Sequence, residues 1–358
     1  MTGRTMTTLS LSALIAGIAA LPLAAAAAET SAGPVSITAM ADGLDEPWGL
    51  AFLPDGRFLV TERGGRLTLH AADGAGEPAA VAGLPQVVVG GQGGLLDVMI
   101  PADFATTREV WLSFSAADGA GAGTAVGRGI LSEDGARLDD FTTFHTVAGQ
   151  PGGRHFGARL VEGPEGQVFL TTGDRGQAML SQDPARGEGK VLLLGDSGAE
   201  VYSLGHRNPQ GAALDAAGRL WVVEHGAKGG DELNLVEPGR NYGWPVISYG
   251  VDYDGSQIGE GQAKGGMQQP VHYWDPSIAP SGLMIHSGTL FDAWAGDVFT
   301  GSLKFDHISR LDPDNGYAEE RIETPETARV RDVREGPDGA IWFLSVGNGA
   351  VYRMAPDT

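Results

Sequence analysis

The sequence contains no cysteine. That excludes disulfides, thiolate zinc sites, iron–sulfur clusters, covalently attached c-type haem and a cysteine nucleophile. Basic residues are scarce as well: 24 Lys and Arg stand against 45 Asp and Glu, a formal charge of −21. Such an acidic surface repels nucleic acid and anionic membranes, so neither is expected as a partner. Beyond the first residues no apolar run is long enough to cross a bilayer, so stable membrane insertion is not expected once that segment is removed. There is no Gly-x-Ser-x-Gly elbow and no His-Glu-x-x-His zinc motif.

Glycine, by contrast, is abundant, at 56 of 358 residues. No collagen-like triplet accompanies it, so the glycines are expected to serve turns and close backbone approaches. Residues 1–28 hold a single charge, Arg4, then an apolar run from Leu9 to Leu23 and an alanine tract. This pattern reads as a secretory signal cut near Ala26 or Ala28, leaving one domain over residues 29–358 in the periplasm or outside the cell. An uncleaved anchor is the alternative, but the run is short for a membrane span.

One phrase recurs through the remainder: a short apolar strand, a turn such as Asp-Gly or Glu-Gly, and a second apolar strand. The copies are Trp48–Leu53 with Phe58–Val60, Gly94–Ile100 with Val110–Phe114, Gly157–Val161 with Val168–Leu170, Gln210–Leu214 with Leu220–Val223, Gly288–Phe291 with Val298–Thr300, and Val333–Glu335 with Ile341–Leu344. Each reads as a β-hairpin, and further strand-like pieces such as Arg66–His70 and Ala350–Met354 follow. No stretch after the signal shows a helical period. The expected fold is all-β, a single six-bladed β-propeller, closed by pairing of N- and C-terminal strands in one blade. A pair of sandwiches or a β-helix is the alternative.

In a propeller the loops entering the innermost strands meet at one mouth of the central channel. At those positions stand Gly90–Gly94, Gly152–Gly157, Gly205–Gln210, Ala279–Gly282 and Arg329–Asp332, with Gly301–Lys304 after the fifth hairpin. Arg207, Lys304, Arg329 and Arg331 would gather four cations at one mouth of an acidic protein, which points to an anionic ligand with several carboxylates or phosphates. The competing reading pairs each arginine with an acidic neighbour. A second cluster runs from Glu224 through His225, Gly226 and Ala227 to Asp231, Glu232 and Asn234, and on to Tyr242. A glycine-rich turn followed by carboxylates suits a hard, oxygen-liganded cation such as calcium, or simply a solvated turn. Among the histidines, His155 sits between glycines at a blade entrance, and Asp174 ends the partner strand of its hairpin, so a carboxylate–imidazole pair is plausible.

At these residues the chain resembles the soluble quinoprotein sugar dehydrogenases that use pyrroloquinoline quinone (PQQ), notably their aldose sugar dehydrogenase branch. The matching phrases include Pro47–Leu50, Gly91–Leu96, His155–Leu160, Gly205–Gly211, Glu224–Gly226, Asp231–Asn234, Asn241–Pro245, Lys304 and Arg329–Val333, spread across nearly the whole chain in one order. The resemblance implies a six-bladed propeller that oxidises an aldose at C1 to a lactone and passes electrons to an external acceptor, a quinone or a soluble cytochrome. It implies His155 as the general base while hydride leaves C1 for the quinone C5, with Asp174 and Gln92 orienting base and substrate. It places Arg207, Asn208, Lys304, Arg329 and Arg331 on the cofactor. One calcium ion would sit on the Gly226 and Ala227 carbonyls as a Lewis acid, and Glu232 with the Tyr242 carbonyl would belong to a separate structural calcium site. The chain departs from better-known members at Arg154, where they have an acid, at Ala227, where they have proline, and at Gly282, where they have a hydroxyl residue. Two other function classes compete: a calcium-dependent propeller hydrolase of lactonase type, and a non-catalytic propeller that binds sugar or protein.

Overall fold

A computed structural model describes residues 26–119, 121–195 and 198–357. It contains six antiparallel sheets arranged as the blades of a propeller. Blade one runs Pro47–Phe52, Phe58–Glu62, Arg66–His70 and Ala79–Ala80, and blade two Leu95–Met99, Glu109–Asp118, Gly121–Leu131 and Leu138–Thr146. Blade three is Gly157–Glu162, Val168–Thr172, Lys190–Gly195 and Gly198–Leu204; blade four is Pro209–Leu214, Leu220–Glu224, Asp231–Val236 and His272–Trp274. Blade five is Pro280–Ile285, Val298–Ser302, Ile308–Asp312 and Ala318–Ile322. Blade six joins Val330–Glu335, Ile341–Ser345 and Ala350–Pro356 to the N-terminal strands Gly33–Ala41 and Ala26–Thr30. Gly33–Ala41 pairs antiparallel with Ala350–Pro356, so the ring is closed by the two ends of the chain, as the repeats predict.

The apolar residues of the hairpins pack between neighbouring blades rather than within one. Leu59 and Leu67 of blade one meet Leu95, Leu112 and Phe114 of blade two in one cluster; Phe299 and Ile308 of blade five meet Val330, Ile341 and Phe343 of blade six in another. Burial of each such side chain contributes about 1.5–3 kcal/mol, and with no disulfide available these seams hold the ring together.

Five of the six sequence hairpins form as expected. The fifth is misplaced: its first strand is Pro280–Ile285, not Gly288–Phe291. The chain leaves the ladder at His286, turns at Gly288 with φ +87°, and passes through a short 3-10 turn at Asp292–Trp294 before Val298 resumes pairing. Phe291 is apolar because it plugs the core with Trp294, not because it lies in the sheet. The expected signal segment lies outside the described residues as far as residue 25, and Ala26–Thr30 forms the outer strand of blade six. No helix among the described residues is long and apolar enough to cross a membrane.

Candidate functional site

The starts of all six innermost strands converge. Trp48, Leu96, Gly157, Gln210, Ala279 and Arg331, one from each blade or its entry, line a cavity of about 510 Å³ together with Gln92, His225, Lys304 and Arg329. That volume falls in the range of small-molecule sites.

The cavity floor is built on buried charge. Arg159 pairs with Asp97 at 3.1 Å and with Asp332 at 3.1 Å, and Arg334 closes the quartet at 3.1 Å from Asp332 and 3.3 Å from Asp97. Arg159 also donates to the Gln210 carbonyl at 2.7 Å and the Arg331 carbonyl at 2.9 Å, and its guanidinium lies 4.1 Å from the centre of the Trp48 ring. The quartet thus plugs the channel and fixes the level of Trp48. Removing one partner strands the opposite charges in the interior, so Arg159→Ala should cost about 3–5 kcal/mol in a denaturant melt; a loss below about 1 kcal/mol would show that the quartet does not hold the floor.

Above this floor stand the cations. Arg331 donates to Gln210 Oε1 at 2.9 Å and to Ser281 Oγ at 3.1 Å, and burial together with Arg159 and Arg329 pushes its guanidinium down to about 9. Arg329 donates to the Leu303 carbonyl at 2.9 Å. Lys304 Nζ lies 4.8 Å from the Phe305 ring centre. Arg207 borders the cavity, donating to the His225 carbonyl at 3.2 Å and lying 5.1 Å from the Trp244 ring centre. Among the described residues none of these four is paired with a carboxylate, which overturns the reading that each merely neutralises an acid. The one lining carboxylate, Glu46, is bonded to Arg63. Arg207 Nε and Arg331 Nε are buried without a partner. A site of this kind is unsatisfied until an anion enters.

His155 stands at the rim with φ +55°. Its backbone N–H donates to Gln92 Oε1 at 2.6 Å, and its Nδ1 lies 2.7 Å from Asp174 Oδ1. Asp174 also accepts from the Gly176 N–H at 2.7 Å and, through Oδ2, from Trp244 Nε1 at 2.8 Å. Burial would raise the Asp174 carboxyl, but these donors hold it below its ordinary value. A carboxylate there assigns the proton to Nδ1 and leaves Nε2 as a free base. Burial lowers the His155 pKa, Arg207 and Arg154 lower it further, and Asp174 opposes them. His225, in the cavity wall, is pushed down to about 3 by burial, Arg331 and Arg207, and is therefore neutral. His206 is bound between Glu224 and Ser203 at 2.8 Å each and is structural.

Asn208 does not line the cavity. It is buried, with Oδ1 accepting from Gln210 Nε2 at 3.1 Å and the Gly157 N–H at 3.3 Å, so it braces two cavity walls from behind. Trp48, Arg63 and Trp244 are not singled out as site residues by the sequence, and Gln210 stands there only as part of a strand entrance. Arg63 follows the second strand of blade one and donates to the Gly91 and Gly93 carbonyls at 2.8 and 3.1 Å; its signal in the sequence is its place in the turn after a second strand, as for Asp174 in blade three.

The turn from Gly226 to Asp231 is closed by Asp231, whose two oxygens accept from the Gly226 and Ala279 N–H groups at 2.7 Å each. Among the described residues the Gly226 and Ala227 carbonyls accept no hydrogen bond. On the other side of the same blade, Asn234 Nδ2 bridges Glu224 and Glu232 at 3.1 Å each, while Asn234 Oδ1 is buried with no partner. Desolvation first, and the charge of Glu224 second, push the Glu232 carboxyl up to about 8. Tyr242 stacks on His206 beside this group, ring centres 4.8 Å apart. Clustered carboxylates beside an unsatisfied carbonyl oxygen suit a hard cation.

With this geometry in hand, known proteins offer a comparison. Residues 44–353 match the family described as glucose/sorbosone dehydrogenase. The aldose sugar dehydrogenase YliI of Escherichia coli (strain K12) is 40% identical, over 90% of this chain and 93% of the relative. A crystal structure of the soluble aldose sugar dehydrogenase from E. coli in the apo-form superposes with a TM-score of 0.84 at 38% identity, over 90% of this chain and 100% of that one. The PQQ-bound form of an aldose sugar dehydrogenase from Streptomyces coelicolor superposes with a TM-score of 0.75 at 27% identity, over 92% and 99%.

Proposed function

The chain belongs to the glucose/sorbosone dehydrogenase family and is an oxidoreductase acting on sugars; we propose that it oxidises aldoses at C1 to lactones with PQQ and calcium, and delivers the electrons to an external quinone or soluble cytochrome. One observation carries this reading: cations with no carboxylate partner among the described residues gather at a cavity lined by Gln92, which holds the backbone of His155, the partner of Asp174. PQQ has three carboxylates and a planar ring system. The unpaired Nε atoms of Arg207 and Arg331, with Lys304 and Arg329, fit the carboxylates, and Trp48 offers a flat floor. The Gly226 and Ala227 carbonyls, which accept no backbone hydrogen bond among the described residues, would hold a calcium ion.

When bound, the quinone supplies the redox chemistry by accepting hydride from the sugar C1, and the metal supplies a Lewis acid. The chain's own residues do the rest. His155 Nε2 takes the proton of the anomeric hydroxyl. Asp174 fixes the ring tautomer through Nδ1 and stabilises the imidazolium that forms. Gln92 holds the His155 backbone, and Trp244 and Gly176 hold Asp174. The hydrolase reading is disfavoured by the channel centre, where Asp97 and Asp332 are committed to Arg159 and Arg334.

Apoprotein supplied with PQQ and calcium should reduce an artificial dye when glucose is added. Lactone hydrolysis without quinone would favour the hydrolase, and quinone binding without dye reduction on any aldose would favour a sugar-binding propeller. A second expectation concerns the metal. Chelation should lower the melting temperature and calcium should restore it, because the ion offsets the repulsion between Glu224 and Glu232. Glu232→Gln should abolish the calcium response; an unchanged response would exclude Glu232 as a ligand. Export to the periplasm or medium follows from the signal reading of residues 1–28 and is checked by N-terminal sequencing of the exported protein, with Ala27 or Glu29 expected first.

A further inference from the structure

A second cavity, of about 960 Å³, opens beside the His155 loop between blades two and three. It shares Gly91 and Phe156 with the reaction cavity. The partition between the two is bare backbone: the Gln92 N–H donates to the Gly153 carbonyl at 2.6 Å, and a Cβ on Gly91 would lie 2.2 Å from that same oxygen. The two loops touch there, so a chain of sugars joining the cavities crosses over the exposed edge of this divide, which Gly90, Gly91 and Gly152 form.

The lining of this second cavity carries charge of one sign. Its only charged members are Arg154 and Arg175, in a chain of net charge −21. Arg175 is held in the wall: it donates to the carbonyls of Arg154 and of Gly152, the latter at 2.9 Å, and lies 3.4 Å from the Phe156 ring centre. Arg175 has no carboxylate in ion-pair contact among the described residues, and its Nε is buried unpartnered, while Asp174 and Glu188 nearby partly offset its charge. Arg154 is different. Its side chain is exposed, lies across Gly176, where a Cβ would come within 2.4 Å of its Nε, and makes no hydrogen bond or ion pair among the described residues. Gln150 and Gln177 stand near it in the wall. A free guanidinium beside a second, buried guanidinium, flanked by amides and glycine carbonyls, is a receptor for a carboxylate attached to a hydroxylated ring.

We propose that this cavity binds the second unit of an oligosaccharide substrate, that this unit is a uronate, and that Arg154 selects it by pairing with its carboxylate. The inference rests on the proposed sugar oxidation and adds a substrate class to it: acidic oligosaccharides whose neutral reducing end is presented to His155.

The test compares cellobiose with cellobiouronic acid, glucuronate β-1,4-linked to glucose, in dye reduction by the PQQ- and calcium-loaded protein. Both substrates use the same base, so the ratio of their kcat/KM values cancels any influence of Arg154 on His155. The acidic disaccharide should be favoured about tenfold at low ionic strength, with the advantage lost at about 1 M salt. Arg154→Gln should bring the ratio to about one, and Arg154→Glu should reverse the preference. A wild-type ratio near one, or a preference that survives Arg154→Gln, would overturn the proposal. Should no sugar reduce the dye, the failure belongs to the oxidation reading, and calorimetric titration of wild type and Arg154→Gln with cellobiouronic acid still decides: tighter binding by wild type supports the subsite, and equal or absent binding overturns it.

Discussion

His155→Ala should leave PQQ bound and slow turnover by ~100-fold or more. The expectation follows from the bonding around the imidazole. Nδ1 is occupied by Asp174, itself locked by Gly176 and Trp244, so among the described residues Nε2 is the free position on the ring. The acting form is the neutral imidazole, and its pKa is lowered by burial and by Arg207 and Arg154. The acid limb of kcat should therefore lie below the ordinary histidine value of ~6.5, and activity should fall only as pH drops through the lowered pKa. Asp174→Asn removes the group that raises that pKa, so the limb should move lower still while the maximal rate drops through loss of the tautomer. Near-normal turnover in His155→Ala would remove it as the base.

Arg331→Gln should weaken PQQ uptake by about 10- to 100-fold, the worth of one charge-assisted contact, and should flatten the salt dependence of binding. Arg331 is half-buried and bonded to Gln210 and Ser281. Its charge is nevertheless unwelcome without a ligand, because Arg159, Arg329 and Arg63 all oppose it. Glutamine keeps hydrogen-bonding capacity and relieves this repulsion, so the apoprotein variant should melt no lower than wild type. PQQ should raise the melting temperature of wild type more than that of the variant. A variant that merely unfolds, or one that takes up PQQ as wild type does, would contradict a cofactor role. Arg329 is exposed, so Arg329→Ala offers the same comparison with less disturbance to the wall.

The blade count was legible because each hairpin joins an apolar strand to a glycine turn, and that local signal survives in the sequence. The closure was legible because strand-like segments lie near both ends. The fifth hairpin was misread because Leu290 and Phe291 mimic a strand: their apolarity reflects core filling, which composition cannot distinguish from pairing. Propeller topology by itself leads one to expect His155, Asp174, Arg207, Lys304, Arg329 and Arg331 at one mouth. What the repeats concealed were groups delivered by insertions or by packing depth. Trp244 reaches Asp174 from the long excursion between the third and fourth strands of blade four. Trp48 gains its role only when Arg159 lies beneath it, and that contact depends on a buried quartet drawn from blades two, three and six. Asn208 is the complementary case, since its Oδ1 is taken up by Gln210 and the Gly157 N–H, a bracing contact that sequence position does not reveal.

The most direct measurement is calorimetric titration of the calcium-loaded apoprotein with PQQ at low and high ionic strength. One saturable site per chain is expected, weakened by salt, and weakened further when Arg331 is replaced. Absence of binding at low salt, or binding indifferent both to salt and to Arg331, would contradict a cofactor held by the cations at the channel mouth.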